Sequence, residues 1–145
     1  MEDRVNKIVV IDGQGGKMGG AIISALKKAF PGQPLYGIGT NSIATAAMLK
    51  AGADYGATGE NPVVAACRDA DVVIGPLGIV IADSLLGEVT PAMACAVGSS
   101  RAYKMLIPVN RCNHWVAGTE NLPLGEYIRQ VVDKLTEWQS ENTMK

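Results

Sequence analysis

The run Lys7-Ile-Val-Val-Ile-Asp-Gly-Gln-Gly-Gly-Lys-Met-Gly-Gly20 decides the fold. Lys7 to Ile11 is mostly β-branched and reads as a buried strand. Asp12 to Gly16 is a turn. Ile22, Ile23, Leu26 and Phe30 then recur at helical spacing, so Met18 to Phe30 reads as a helix stopped by Pro31-Gly32. A strand, a glycine turn and a helix in this order form a cradle. The turn lets the backbone approach a ligand, and the helix start offers unpaired N–H groups and the positive end of its dipole to an anion.

Working outward, the alternation repeats. Leu35 to Gly39 reads as a second strand, and Ser42 to Lys50 as a helix with Ser42 as its cap and Gly52 as its stop. Asp54 to Thr58 is a short strand candidate. Asn61-Pro62 has the form of a capping residue followed by proline at the first helical position, with the helix reaching about Arg68. Asp71 to Ile74 reads as a strand ended by Gly75-Pro76. Thr90-Pro91 repeats the cap-plus-proline signal, with Gly98 closing that helix. Lys104 to Val109 is the next strand, its end marked by Pro108. Trp115 to Ala117 is one further strand candidate. Leu124, Tyr127, Ile128, Val131, Val132 and Leu135 make Leu124 to Trp138 the clearest amphipathic helix, and residues 140–145 read as a frayed tail. This alternation predicts an α/β fold: a doubly wound, mostly parallel sheet in three layers, α/β/α, forming a single domain over residues 1–145.

The chain has 145 residues, enough for one core without disulfides or metal. It is 48% hydrophobic and 19% charged, against a usual charged share of ~25%, which points to extensive burial and a subunit interface. The net charge of −1 gives no field favouring nucleic acid or an anionic membrane. The 3 cysteines, Cys67, Cys95 and Cys112, are dispersed, which argues against a zinc site or disulfide framework and for a reducing cytoplasm. The N-terminal residues do not form a signal-peptide core. The apolar stretch Val72 to Ala82 is far shorter than the ~20 residues that span a bilayer. Together with Asp83-Ser-Leu-Leu86 it is too apolar for an exposed loop. It lies either beneath a ligand or in a homo-oligomer contact, a dimer for instance.

Ligands of open parallel sheets bind outside the carboxyl ends of the strands. The segments that follow the strands are therefore the candidate site. The first holds Asp12, Gly13, Gln14, Gly15, Gly16, Lys17, Met18 and Gly19, and the second Thr40, Asn41 and Ser42. Thr58 to Asn61 is the third, Gly75, Pro76, Leu77 and Gly78 the fourth, and Asn110, Arg111, Cys112, Asn113 and His114 the fifth. Gly13, Gly15 and Gly19 give G-x-G-x-x-x-G, one residue off the dinucleotide fingerprint, and the spacing excludes a Walker loop. Asp12 would repel a phosphate placed beside it. It either caps the turn or helix, or serves a hydroxyl, a cation or a proton. No acid stands at the end of the second strand to take a ribose 2′-hydroxyl, which inclines the reading toward NADP over NAD. His114, the single histidine, suits general acid–base work, or is an ordinary loop histidine. Arg111, with Asn110 and Asn113, suits an anionic substrate group.

Several of these segments resemble a known family. Val10-Ile-Asp-Gly-Gln-Gly-Gly16, Gly39-Thr-Asn-Ser-Ile-Ala-Thr45, Met48-Leu-Lys-Ala-Gly52, Gly75-Pro-Leu-Gly-Ile79 and Ile107-Pro-Val-Asn-Arg-Cys-Asn-His114 are similar to a small bacterial family known only as a domain of unknown function. That resemblance implies no activity. Gly16-Lys17-Met18-Gly19 also resembles, loosely, the Gly-x-Met-Gly loop of some Rossmann-type NAD(P)-dependent dehydrogenases. It implies a Rossmann-like fold and an NAD or NADP cofactor.

The leading expectation is a nucleotide- or dinucleotide-binding domain. The Gly13–Gly20 turn would hold phosphate, Thr40 and Asn41 would meet the ribose, and Gly75 to Gly78 would line the far half. Asp12 and His114 would carry any proton transfer. The alternatives are a non-enzymatic sensor or carrier of a small anionic metabolite, and a structural oligomer without ligand.

Overall fold

The structure is a computed structural model that describes residues 5–109 and 113–143. Five strands form one sheet: β1 (Ile8–Asp12), β2 (Leu35–Gly39), β3 (Tyr55–Thr58), β4 (Val72–Pro76) and β5 (Tyr103–Ile107). The helices are α1 (Lys17–Ala29), α2 (Ser42–Ala51), α3 (Glu60–Cys67), α4 (Pro91–Ser99) and α5 (Leu124–Thr143), with a 3-10 turn at Leu77–Val80. Every pairing is parallel and the order is β3-β2-β1-β4-β5. The strand direction of travel reverses between β1 and β4, so the switch point lies at the end of β1. This is the expected Rossmann-like, doubly wound α/β/α domain.

The two cores follow from strand alternation. Ile8 and Val10 face one side, with Ile22, Ile23 and Leu26 of α1, Met48 of α2 and Ile128, Val131 and Leu135 of α5. Val9 and Ile11 face the other, with Val63 and Cys67 of α3 and Met93 and Val97 of α4. Because both faces of β1 and β4 are covered, these strands are fully buried runs without polar alternation.

Several element ends differ from the sequence reading. The cap of α2 is Asn41, whose side chain accepts the Ala44 N–H at 2.9 Å, and Ser42 is the first helical residue. Helix α3 begins at Glu60 after Gly59, so Pro62 is its third residue and Asn61 caps nothing. Proline is tolerated there because N–H groups of the first turn have no intrahelical partner. Gly75 and Pro76 continue β4, pairing with Leu106 and Ile107. A Cβ on Gly75 would stand 2.4 Å from the Ile11 carbonyl oxygen, so the glycine serves strand packing. Residues Trp115 to Ala117 form no strand, and α5 runs on through Thr143 where a frayed tail is expected. The apolarity of Val72–Ala82 is largely explained by burial of β4 and Ile79. Among the described residues, no helix is long and apolar enough to cross a membrane.

Candidate functional site

Asp12 ends the central strand and is only 5% exposed. Its Oδ1 accepts the Gly13 N–H at 2.8 Å, and its Oδ2 accepts the Gly19 N–H at 2.7 Å. Gly19 is the third residue of α1, and the residue in the capping position, Gly16, has no side chain to offer. Asp12 therefore caps α1 from before the turn. Burial pushes its carboxyl above the usual range, the Gly19 and Gly13 bonds pull it back, and the Glu88 charge raises it further. With both oxygens engaged by backbone, we assign Asp12 to the architecture of the turn.

The turn closes through Gly16 N–H donating to the Gly13 carbonyl at 2.9 Å. Gly16 sits at φ 72°, and a Cβ there would lie 2.7 Å from Ala44 Cα, so α2 passes directly over it. A Cβ on Gly19 would lie 2.8 Å from the Asp12 Cβ, which fixes close packing of α1 on β1. Gly15 differs: nothing stands within 4 Å of its added Cβ. No hydrogen bond among the described residues takes the N–H groups of Gly15, Lys17 and Met18. These are the donors left for a ligand, and the exposed Lys17 side chain supplies positive charge beside them.

The sequence reading missed Glu88. Its Oε1 accepts the Gln14 N–H at 2.8 Å, the Thr40 hydroxyl at 2.7 Å and the Asn41 amide at 2.8 Å. Thr40 and Asn41, expected to meet a ribose, are thus already bonded to a carboxylate of the chain itself. The segment after β2 itself carries no acid, but Glu88 brings one to Thr40 and Asn41 from a distant loop. Burial raises the Glu88 carboxyl, but its three hydrogen bonds outweigh that and hold it below the ordinary glutamate range. Nothing in local spacing announces Glu88, which lies 74 residues from Gln14 in sequence.

Two adjoining cavities occupy the carboxyl edge. The smaller, about 270 Å³, is lined by Asp12, the turn from Gly13 to Met18, Leu85, Val109 and Leu124. The larger, about 510 Å³, is lined by Gln14, Pro76, Leu77, Gly78, the segment 81–86, Val109, Asn113 and His114. Gln14, Leu85 and Val109 line both, so they form one cleft across the β1–β4 switch point. The glycine turn, Pro76 to Gly78 and His114 are therefore brought together, whereas Gly75 lines neither cavity. Ser42 is exposed and lines neither cavity. Asn110, Arg111 and Cys112 lie outside the described residues.

The titratable side chains lining the larger cavity, among the described residues, are His114 and Asp83. Leu86, 96% exposed, and Trp115, 82% exposed, flank this region. A further cavity of about 580 Å³ lies along β5 and α5, away from the strand ends where the backbone donors converge. Among the described residues no group of His, Cys, Asp and Glu is arranged to hold a metal ion.

No curated protein and no solved structure matches the chain significantly. A family model does match, over residues 7–140. Since that match spans all five strands and all of the helices but the last three residues of α5, the chain belongs to the family described as Domain of unknown function (DUF3842).

Proposed function

We propose that this domain binds a nucleotide or dinucleotide, with NAD or NADP the leading ligand, in the cleft over the β1–β4 switch point. One observation carries the reading. Gly15, Lys17 and Met18, whose N–H groups have no partner among the described residues, line a cavity that opens into a larger, mostly apolar cleft at the place where open parallel sheets take their ligands. The phosphate would sit at the start of α1 beside Lys17. Pro76, Leu77 and Gly78 would line the far half, with Asn113 and His114 at its rim. Among the described residues, Asp83 and His114 are the groups available for proton transfer there.

A second reading has its own support. Asp12 is committed to backbone capping, which leaves few titratable groups facing the cleft among the described residues. That favours a non-enzymatic sensor or carrier of a small anionic metabolite. Exposure of Leu86 and Trp115 beside the cleft supports a homo-oligomer in either case.

Native mass spectrometry of freshly purified protein, followed by thermal-shift assays with NAD, NADP, FAD, coenzyme A, nucleotides and divalent ions, tests the reading. A ligand at ~100 times its dissociation constant stabilises the fold by about 2.7 kcal/mol. Absence of any shift, with no ligand retained, overturns nucleotide binding.

A further inference from the structure

The β2 side of the cleft is closed by the chain itself. Glu88 Oε1 takes three donors there: a backbone N–H of the glycine turn, the Thr40 hydroxyl and the Asn41 amide. Leu85 of the same loop reaches 3.0 Å from where a Gly13 Cβ would be. None of Thr40, Asn41 and Glu88 lines the open cavities. The donor set is suited to a ligand's anionic or hydroxyl groups, and Glu88 holds it as an internal stand-in.

The loop that carries Glu88 is unusual. Asp83, Leu85 and Leu86 have φ of 65°, 55° and 57°, and Gly87 has φ 86°. Left-handed conformations are unfavourable for L-residues, so three in one loop need surrounding contacts to persist. The base is tied, with Asp83 N–H donating to the Val89 carbonyl at 2.7 Å and Val89 N–H to the Ser84 carbonyl at 3.2 Å. The tip bonds only within the loop, with Gly87 N–H donating to the Asp83 carbonyl and Glu88 N–H to the Leu85 carbonyl, each at 3.1 Å, and Leu86 is almost wholly in solvent. The contacts that hold the tip over the glycine turn are therefore the Glu88 bonds and Leu85.

We propose that Glu88 is a latch: the loop 83–88 shuts the β2 half of the cleft, and a nucleotide's ribose and phosphate groups must displace the Glu88 carboxylate to occupy it. This rests on the nucleotide-binding reading above. A latch of this kind lowers apparent affinity by the fraction of molecules in the open state. It admits small anions to the glycine turn while excluding a full dinucleotide until the latch is released.

The test uses the full chain, Glu88→Gln and Glu88→Ala, with each variant's folding checked by circular dichroism. Amide exchange is read first, without ligand. The Gln14 N–H should exchange at least about tenfold faster in Glu88→Ala, with core strand amides unchanged. NAD and ADP-ribose are then titrated by calorimetry. Loss of charge-assisted bonds should raise affinity for both by about tenfold or more in Glu88→Ala, and less in Glu88→Gln. Equal or weaker binding by the variants overturns the latch and leaves nucleotide binding standing, because Glu88 would then be a ligand contact or a bystander. Unchanged Gln14 exchange overturns it too. If neither wild type nor variants bind any nucleotide, the binding reading fails and the latch with it.

Discussion

The Asp12 carboxylate reaches across the glycine turn and accepts the backbone N–H of Gly19 at 2.7 Å. One buried acid thereby ties the end of the central strand to the first turn of α1. Removing it leaves the Gly13 and Gly19 donors without their acceptor. Asp12→Ala should cost about 2–4 kcal/mol in urea unfolding. Asp12→Asn, which keeps an acceptor oxygen, should cost clearly less. Equal losses would mean that the acceptor is not what matters.

Gly15 and Gly16 are neighbours with opposite expectations. Gly16→Ala must place a Cβ at φ 72° against the Ala44 backbone, and should lose about 2 kcal/mol or more. Gly15→Ala meets nothing and should change stability by less than about 0.5 kcal/mol, while weakening any ligand held on the turn. Thermal melts with and without nucleotide separate the two effects.

Glu88 gives the loop a dependence on pH whose sign is fixed. Its carboxyl is held below the ordinary glutamate value in the folded chain. Its contribution is therefore present above that ordinary value and lost as pH falls through the lower folded one. The difference in melting temperature between wild type and Glu88→Gln should be present at about pH 7 and be lost as the solution is acidified below the ordinary glutamate value. Asp12 runs the other way, since its folded carboxyl is raised: its contribution is greatest at low pH and declines as pH rises. A Glu88→Gln difference that grows on acidification would contradict the assignment.

His114 is exposed and lines the larger cavity, so its role is separable from folding. His114→Ala should leave the melting temperature unchanged. If a reaction is found, His114→Ala should abolish it, and full turnover in that variant would remove His114 from the chemistry.

Leu135 tests the last helix. It is fully buried in the core shared with α1 and the sheet. Leu135→Ala should destabilise by about 2–5 kcal/mol, whereas Glu141→Ala, beyond the core, should be near neutral by the same denaturation assay.

The fold was readable because its signals are local. The β-branched run at Ile8, the spacing of Tyr127, Ile128, Val131 and Leu135, and the Thr90-Pro91 start each act within one element. Thr90 does accept the Met93 N–H at 3.1 Å. The same kind of signal misled at Gly75-Pro76, where glycine and proline read as a stop. There the close approach of the Ile11 carbonyl demands a glycine inside a strand. The site was readable only to the extent that topology places strand ends together. The glycine turn and His114 border one cleft for that reason. The partners within it were not readable. Asp12 bonding Gly19 and Glu88 bonding Gln14 are tertiary contacts, and no spacing rule encodes a carboxylate that arrives from another loop.

The register that pairs Ile8 with Val72 also sets a clock for biosynthesis. The first strand made is the middle strand of the finished sheet, so its second edge stays open until β4 emerges. At ribosomal rates of about 5–20 residues per second that wait is roughly 3–13 s. Within this domain the glycine turn is synthesised before the segments around Leu85, Val109 and Leu124 that later border it. Nascent chains stalled before residue 72 should therefore be the form most exposed to chaperones and to aggregation.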